Sequence, residues 1–280
     1  MSSLSEYSIV DKADLGLGGS LYPADMVIEA RPATVKEIRH WANINDEDQL
    51  DIHRHIVDII TSCVRVTSAD DSKAYSPKDL YEFDQLALLL IINSLTFADI
   101  KDHTIAVKGK CSKPSCGKVF DPLAVQPSNI VYKELDERFV KYIDQENGGF
   151  KIATKSYGEV VVKPATIGTA LAVQEWMKTF ELSFIRDNMN MFQIVQMLCS
   201  DWRTANNKSL RLLQVEQYNN MDASKLALFT KIMESTTVAP EPYLEYTCPD
   251  CGERFRCPIQ FEGGYRAMFL PVQNIDDELL

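Results

Sequence analysis

The sequence predicts an α+β fold: a helical N-terminal part, a zinc-ribbon-like pair of β-hairpins sharing one metal, and a C-terminal helical bundle inserted between the hairpins. Three observations predict it. Apolar residues recur at helical spacing in three stretches between Thr34 and Leu95 and again after Pro164. Alternating stretches lie at His103–Val125, Gly149–Pro164 and Tyr243–Leu270. Two cysteine pairs, Cys111 with Cys116 and Cys248 with Cys251, fall inside the first and last of these.

Residues 1–20 are polar, end in GLGGS and hold no sustained period, which predicts an arm that is flexible or ordered by a partner. The GLGG stretch follows no strand and opens no helix, so it does not read as a phosphate loop. The helical part then spans 21–98. It opens on an extended run, Asp25–Ala30, closed by Arg31-Pro32. Thr34 and Glu37 form a capping box before Val35, Ile38 and Ala42. A second helix is expected from Glu47 to Arg65, with Ile52, Ile56, Ile59, Ile60 and Cys63 along one stripe. Ser76, Pro77 and Asp79 cap a third, whose body, Leu80–Leu95, is apolar on nearly every side.

Residues 99–164 read as β-rich and carry the first knuckle, with a further turn near Ser156–Gly158. Residues 165–236 read as helical: Ile167–Arg186, Met189–Trp202, Leu210–Asn219 and Ala223–Glu234, the last capped by Asp222. The second knuckle hairpin occupies 237–271, and an acidic tail, 272–280, closes the chain.

An internal repeat links the two hairpins. CGKVFDPL after the first pair resembles CGERFRCPI after the second, and each pair is preceded by a strand, AVKGK or YLEYT. CSKPSCG and CPDCG are the two halves of a zinc-ribbon pattern, in which each knuckle turns two thiolates toward one cation. Zinc suits four thiolates because it is tetrahedral, borderline soft and without redox chemistry. Four such ligands close the shell, so Cys111, Cys116, Cys248 and Cys251 are expected to hold a structural Zn2+. The 131 residues from Gly117 to Thr247 would then be enclosed by one metal. Cys257, on the strand after the second knuckle, is an alternative to Cys111, and His103 a weaker substitute. Cys63 and Cys199 fall on apolar helix stripes and read as core.

Composition narrows the function classes. Hydrophobic residues make up 45% and charged residues 25% of the 280, the ordinary mixture of a globular protein. The formal net charge of −11 disfavours general binding to nucleic acid. The longest aliphatic run, Leu86–Ile92, is far shorter than the ~20 residues a membrane span needs. No secretory leader is visible, and with seven cysteines, an odd count, a disulfide framework is not expected. No catalytic constellation stands out. His53 and His55, two apart on a helix, face different directions, and HExxH, GxSxG, GKS/GKT and GxGxxG patterns are missing. No enzyme activity and no small-molecule substrate are therefore expected. Lysines 101, 108, 110, 113 and 118 form a local basic patch, and Met189, Met191, Phe192 and Met197 a soft cluster that reads as core packing.

From Leu21 to Leu171 the chain resembles the T4-type bacteriophage baseplate hub proteins of contractile tails. The resemblance rests on the order and spacing of VIEARPATVKEI, IVDIITSCV, DLYEFDQLALLLIINSLTF and VKGKCSKPSCGKVF. Ala33 departs from the aromatic residue more usual in that family, and 172–280 lies outside the match. The resemblance implies a non-enzymatic hub component with other baseplate and tail proteins as partners. It would reside in the host cytoplasm during assembly and then in the virion tail baseplate. A hub assembly factor absent from the mature particle, and a zinc-ribbon nucleic-acid adaptor using the lysine patch, are the alternatives.

Overall fold

The computed structural model describes residues 6–70, 73–98, 105–198, 202–203, 207–261 and 264–269. Cys199, His103, Lys101 and the tail 272–280 lie outside them. The mixture of helices and small antiparallel sheets agrees with an α+β fold.

The N-terminal stretch corrects its own expectation. Residues 6–20 do not stand apart from the protein: β1 (Ser8–Ile9) pairs antiparallel with β2 (Met26–Ala30), and β2 pairs with β3 (Val64–Ser68). Val10 and Leu15 are buried, and the GLGG segment is a pair of tight turns. What sequence lacks there is period, because short turns carry side chains inward one at a time.

α1 (Val35–Trp41) starts at the expected capping box, with Thr34 Oγ1 accepting from the Glu37 N–H. Arg31 then clamps this turn: its guanidinium donates to both Glu37 oxygens, at 2.7 and 3.0 Å. That pairing holds the Glu37 carboxyl down at about 2. α2 (Gln49–Cys63) carries the apolar stripe on Ile56, Ile59, Ile60 and Cys63 but ends two residues early. VRVTS peels away directly as β3, so the part expected to be helical holds a three-stranded sheet as well.

The third helix starts later than expected. Ser76 and Asp79 do form a capping box, but it closes only a single turn, Pro77–Asp79. Leu80 and Tyr81 are extended, and α3 runs from Gln85 to Thr96. The reason is tertiary: Leu80 C=O accepts from the Ile167 N–H at 2.7 Å, and the Glu82 N–H donates to Ala165 C=O at 2.9 Å. A bond to a distant segment replaces the helical ladder there.

In the second half β4 (Ala106–Lys110) pairs with β5 (Val119–Ala124). The short β6 (Ile130–Tyr132) joins a different sheet, beside β9 (Pro240–Thr247), which also pairs with β10 (Arg254–Pro258). A short helix, α4 (Glu137–Val140), leads to the hairpin of β7 (Phe150–Thr154) and β8 (Gly158–Val162). The region expected as one helix at Ile167–Arg186 is two, α5 (Ile167–Met177) and α6 (Leu182–Asp187). α7 (Met189–Leu198) and the helices Lys208–Asn219 and Ala223–Thr236 follow, the last capped by Asp222 accepting from the Lys225 N–H. The final β segment ends earlier than expected, and Tyr265–Phe269 forms a tight helical turn.

Long-range contacts tie the ends to the middle. That last turn packs on the N-terminal helices: Trp41 Nε1 donates to Tyr265 C=O at 2.9 Å, Trp41 meets Phe269 edge-on, and Asn93 Nδ2 donates to Met268 C=O. One apolar core runs from the N-terminal sheet through α2 and α3 to both hairpins. A smaller one lies between α5 and α7, where Met191 and Phe192 of the soft cluster are buried. Beside the main core sits Asp84, fully buried, whose carboxylate accepts from the Gly16 N–H (2.7 Å), Tyr22 OH (2.7 Å) and Tyr132 OH (3.1 Å).

Candidate metal centre

Each cysteine pair grows from the end of a ladder. Lys110 pairs with Val119 and Thr247 with Arg254, so the two hairpins end in the same register immediately before Cys111 and Cys248. The turn closes the same way in both. Cys111 N–H donates to Lys118 C=O and Cys248 N–H to Glu253 C=O, each at 2.8 Å. Gly117 and Gly252 follow the second cysteines with φ of +57° and +71°, a left-handed conformation that glycine adopts without a Cβ clash.

The two knuckles face each other. Cys111 Sγ lies 3.6 Å from Cys251 Sγ, and Cys116 Sγ lies 3.8 Å from Cys248 Sγ. All four sulfurs lie within 4.8 Å of one another. The first cysteine of each pair is buried and the second is half-exposed, so the cluster has an approximate twofold symmetry that follows the sequence repeat. Four sulfurs about 2.3 Å from a tetrahedral cation would be separated by ~3.8 Å, whereas a disulfide requires ~2.05 Å. The spacing is compatible with a metal site and too long for a disulfide.

The same repeat packs on itself around the sulfurs. Phe120 and Phe255, each four residues after the second cysteine, stack with centroids 5.4 Å apart and planes 10° from parallel. Lys118 Nζ reaches Asp250 Oδ2 of the opposite knuckle at 2.7 Å, and Ser112 Oγ donates to Arg254 C=O at 3.3 Å. A Cβ on Gly109 would come within 2.5 Å of Cys257 Sγ, so the absence of a side chain there lets β4 and β10 approach closely.

Electrostatics makes the cluster receptive to a cation. Burial opposes the thiolate of Cys248, yet the N–H groups of Asp250 and Cys251 are aimed at its sulfur and hold the thiol down at about 7. Cys251 goes the other way. Glu253 N–H favours its thiolate, but burial and the neighbouring sulfurs prevail and push it up to about 12. Negative charge on one sulfur thus disfavours charge on the next, a conflict that a bound divalent cation removes.

All four sequence-predicted ligands come together, and the alternative does not join them. Cys257 is buried against Gly109, outside the four-sulfur group. Cys63 sits in the main core, its thiol pushed up to about 12 by burial and by Glu37 nearby. The basic patch is partly neutralised, since Lys108 pairs with Asp121 at 3.1 Å and Lys118 with Asp250. The Asp84 node escapes sequence reasoning, because nothing local to Asp84 announces donors at positions 16, 22 and 132. No described helix is long and apolar enough to cross a membrane. Comparison with known protein families, curated proteins and solved structures finds no match to this chain.

Proposed function

We propose that the chain is a structural subunit, stapled by zinc, whose work is to present surfaces to other proteins, and that its setting is the baseplate hub of a contractile-tailed particle. The observation that carries the first part is the closed group of four sulfurs joining two hairpins 132 positions apart in the chain. Zinc is the cation that best suits four thiolates in this spacing, and with its shell full it has no position for water or substrate. Its role is then cohesion. Exposed apolar side chains support a surface-presenting role: Leu182, Phe184, Met189, Leu212 and Leu213 all project from the inserted helices.

The setting rests on the resemblance over Leu21–Leu171 alone. The test is quantitative mass spectrometry of purified tailed particles from the source of the chain. A low, fixed copy number matching other hub proteins is expected. Presence in lysate with absence from finished particles would make the chain an assembly factor. A source that makes no tailed particle would overturn the setting and leave the zinc staple standing.

A further inference from the structure

A cleft of about 690 Å³ opens where α3, α7, the end of helix Ala223–Thr236 and the entry to β9 meet. Its volume lies within the range of sites that bury a ligand. Much of its wall is apolar, supplied by Ile56, Leu86, Leu89, Met197 and Ile259. Two polar groups in that wall lack partners. The Glu82 carboxylate has no ion-pair or hydrogen-bond partner among the described residues, and the buried Gln85 Nε2 donates to nothing. Holding a half-buried carboxylate and a buried amide without partners is costly, and a ligand that satisfies both recovers that cost.

The lining also specifies the sign and kind of that ligand. Glu234 and Glu241 add two further carboxylates, against one lysine, Lys163. Gln193 and Gln196 join Gln85, so three side-chain amides face the space, each both donor and acceptor. Amides in that number match the alternating N–H and C=O groups of a peptide main chain better than a simple organic amine. We infer that this cleft binds a polypeptide segment of a partner that places a lysine or arginine, flanked by apolar residues, against Glu82, with its main chain bonded to the glutamine amides. The inference does not depend on the particle setting or on the zinc, so it stands or falls separately from them.

Binding should depend on pH, because burial raises the Glu82 carboxyl to about 7. The other titratable groups lining the cleft are Lys163, Glu234, Glu241 and Tyr265. A cation is held by the ionised carboxylate, so affinity should rise by about tenfold from pH 6 to pH 8.

The test selects a random heptapeptide display library on the full chain at pH 8. Enriched peptides, labelled with fluorescein, are then titrated by anisotropy against wild type, Glu82→Gln and Gln85→Leu, with circular dichroism reporting the fold. We expect enriched peptides to share a basic residue between apolar ones. Glu82→Gln should weaken them about tenfold or more and abolish the pH dependence, and Gln85→Leu should weaken them less. Replacing the basic residue of the peptide by norleucine should reproduce the Glu82→Gln loss, and that arm decides the matter should Glu82→Gln misfold. Enrichment without a basic residue, binding indifferent to norleucine, or no enrichment at all would overturn the inference. Hexylamine binding to the cleft in a Glu82-dependent way, with no peptide enriched, would assign it to a small amine instead.

Discussion

Two nodes gather distant parts of this chain, and they do so by opposite means. Asp84 collects residues 16, 22 and 132 through three donors that the protein itself supplies. The four-cysteine cluster collects residues 111, 116, 248 and 251 through sulfurs whose charges oppose one another, a conflict that a bound cation would remove. One staple is made wholly of protein groups, and the other is one that a cation would complete. The difference teaches that the N-terminal core should fold without metal, whereas the contact between the two hairpins should be conditional on it.

The strongest way to break that comparison is to remove the ion. Chelation, or Cys248→Ser, should lower the melting temperature by ~10 °C and open the two hairpins to protease, while the segment around α2 and α3 keeps its hydrogen-exchange protection. Equal loss of protection in both regions would mean the nodes are not separate. Cys257→Ala should leave metal content unchanged, since its sulfur is outside the group.

Next in size is the self-sufficient node. Asp84→Ala leaves three donors facing an empty space and should cost about 3 kcal/mol in urea unfolding, with metal content unaffected. Loss of metal in that variant would show that the nodes are coupled.

Acid sharpens the contrast, because the nodes respond to it with opposite sign. Burial raises the Asp84 carboxyl to about 6, above its ordinary 3.8. The folded state therefore holds the proton more tightly than the unfolded one, and the added stability from that retained proton is full below about pH 4 and lost as pH rises through about 6. Metal-bound thiolates behave in reverse, since protonation releases the cation. Asp84→Asn should flatten the first trend between pH 4 and 6 and leave acid release of metal as it was. The two are separable by following melting and bound metal together.

The smallest effects lie around the sulfurs. A double-mutant cycle between Phe120→Ala and Phe255→Ala should give a coupling of about 1 kcal/mol, as stacked rings do. Lys118→Ala should leave melting unchanged, because its pair with Asp250 is exposed to water.

What could be read from sequence follows the same division. The four-cysteine cluster is legible because its signal is local: two cysteines, a turn and a glycine, repeated once. The caps at Thr34, Ser76 and Asp222 are legible for the same reason, since each is completed within three residues. The helix expected from Leu80 fails because Leu80 and Glu82 bond to residues 165 and 167 instead of to their neighbours. β3 escapes because VRVTS follows α2 with no turn residue to mark the change. Residues 6–20 are misread as an arm since what holds them is not local: β1 pairs with β2, and the Gly16 N–H donates to Asp84, 68 positions away.

The most direct measurement is metal content with coordination: elemental analysis and zinc-edge X-ray absorption on protein purified without added metal. One zinc per chain in a shell of four sulfurs at ~2.3 Å is the expected result. A chain without metal that keeps both hairpins joined, or a shell containing oxygen or nitrogen, would contradict the claim that a closed zinc staple holds them.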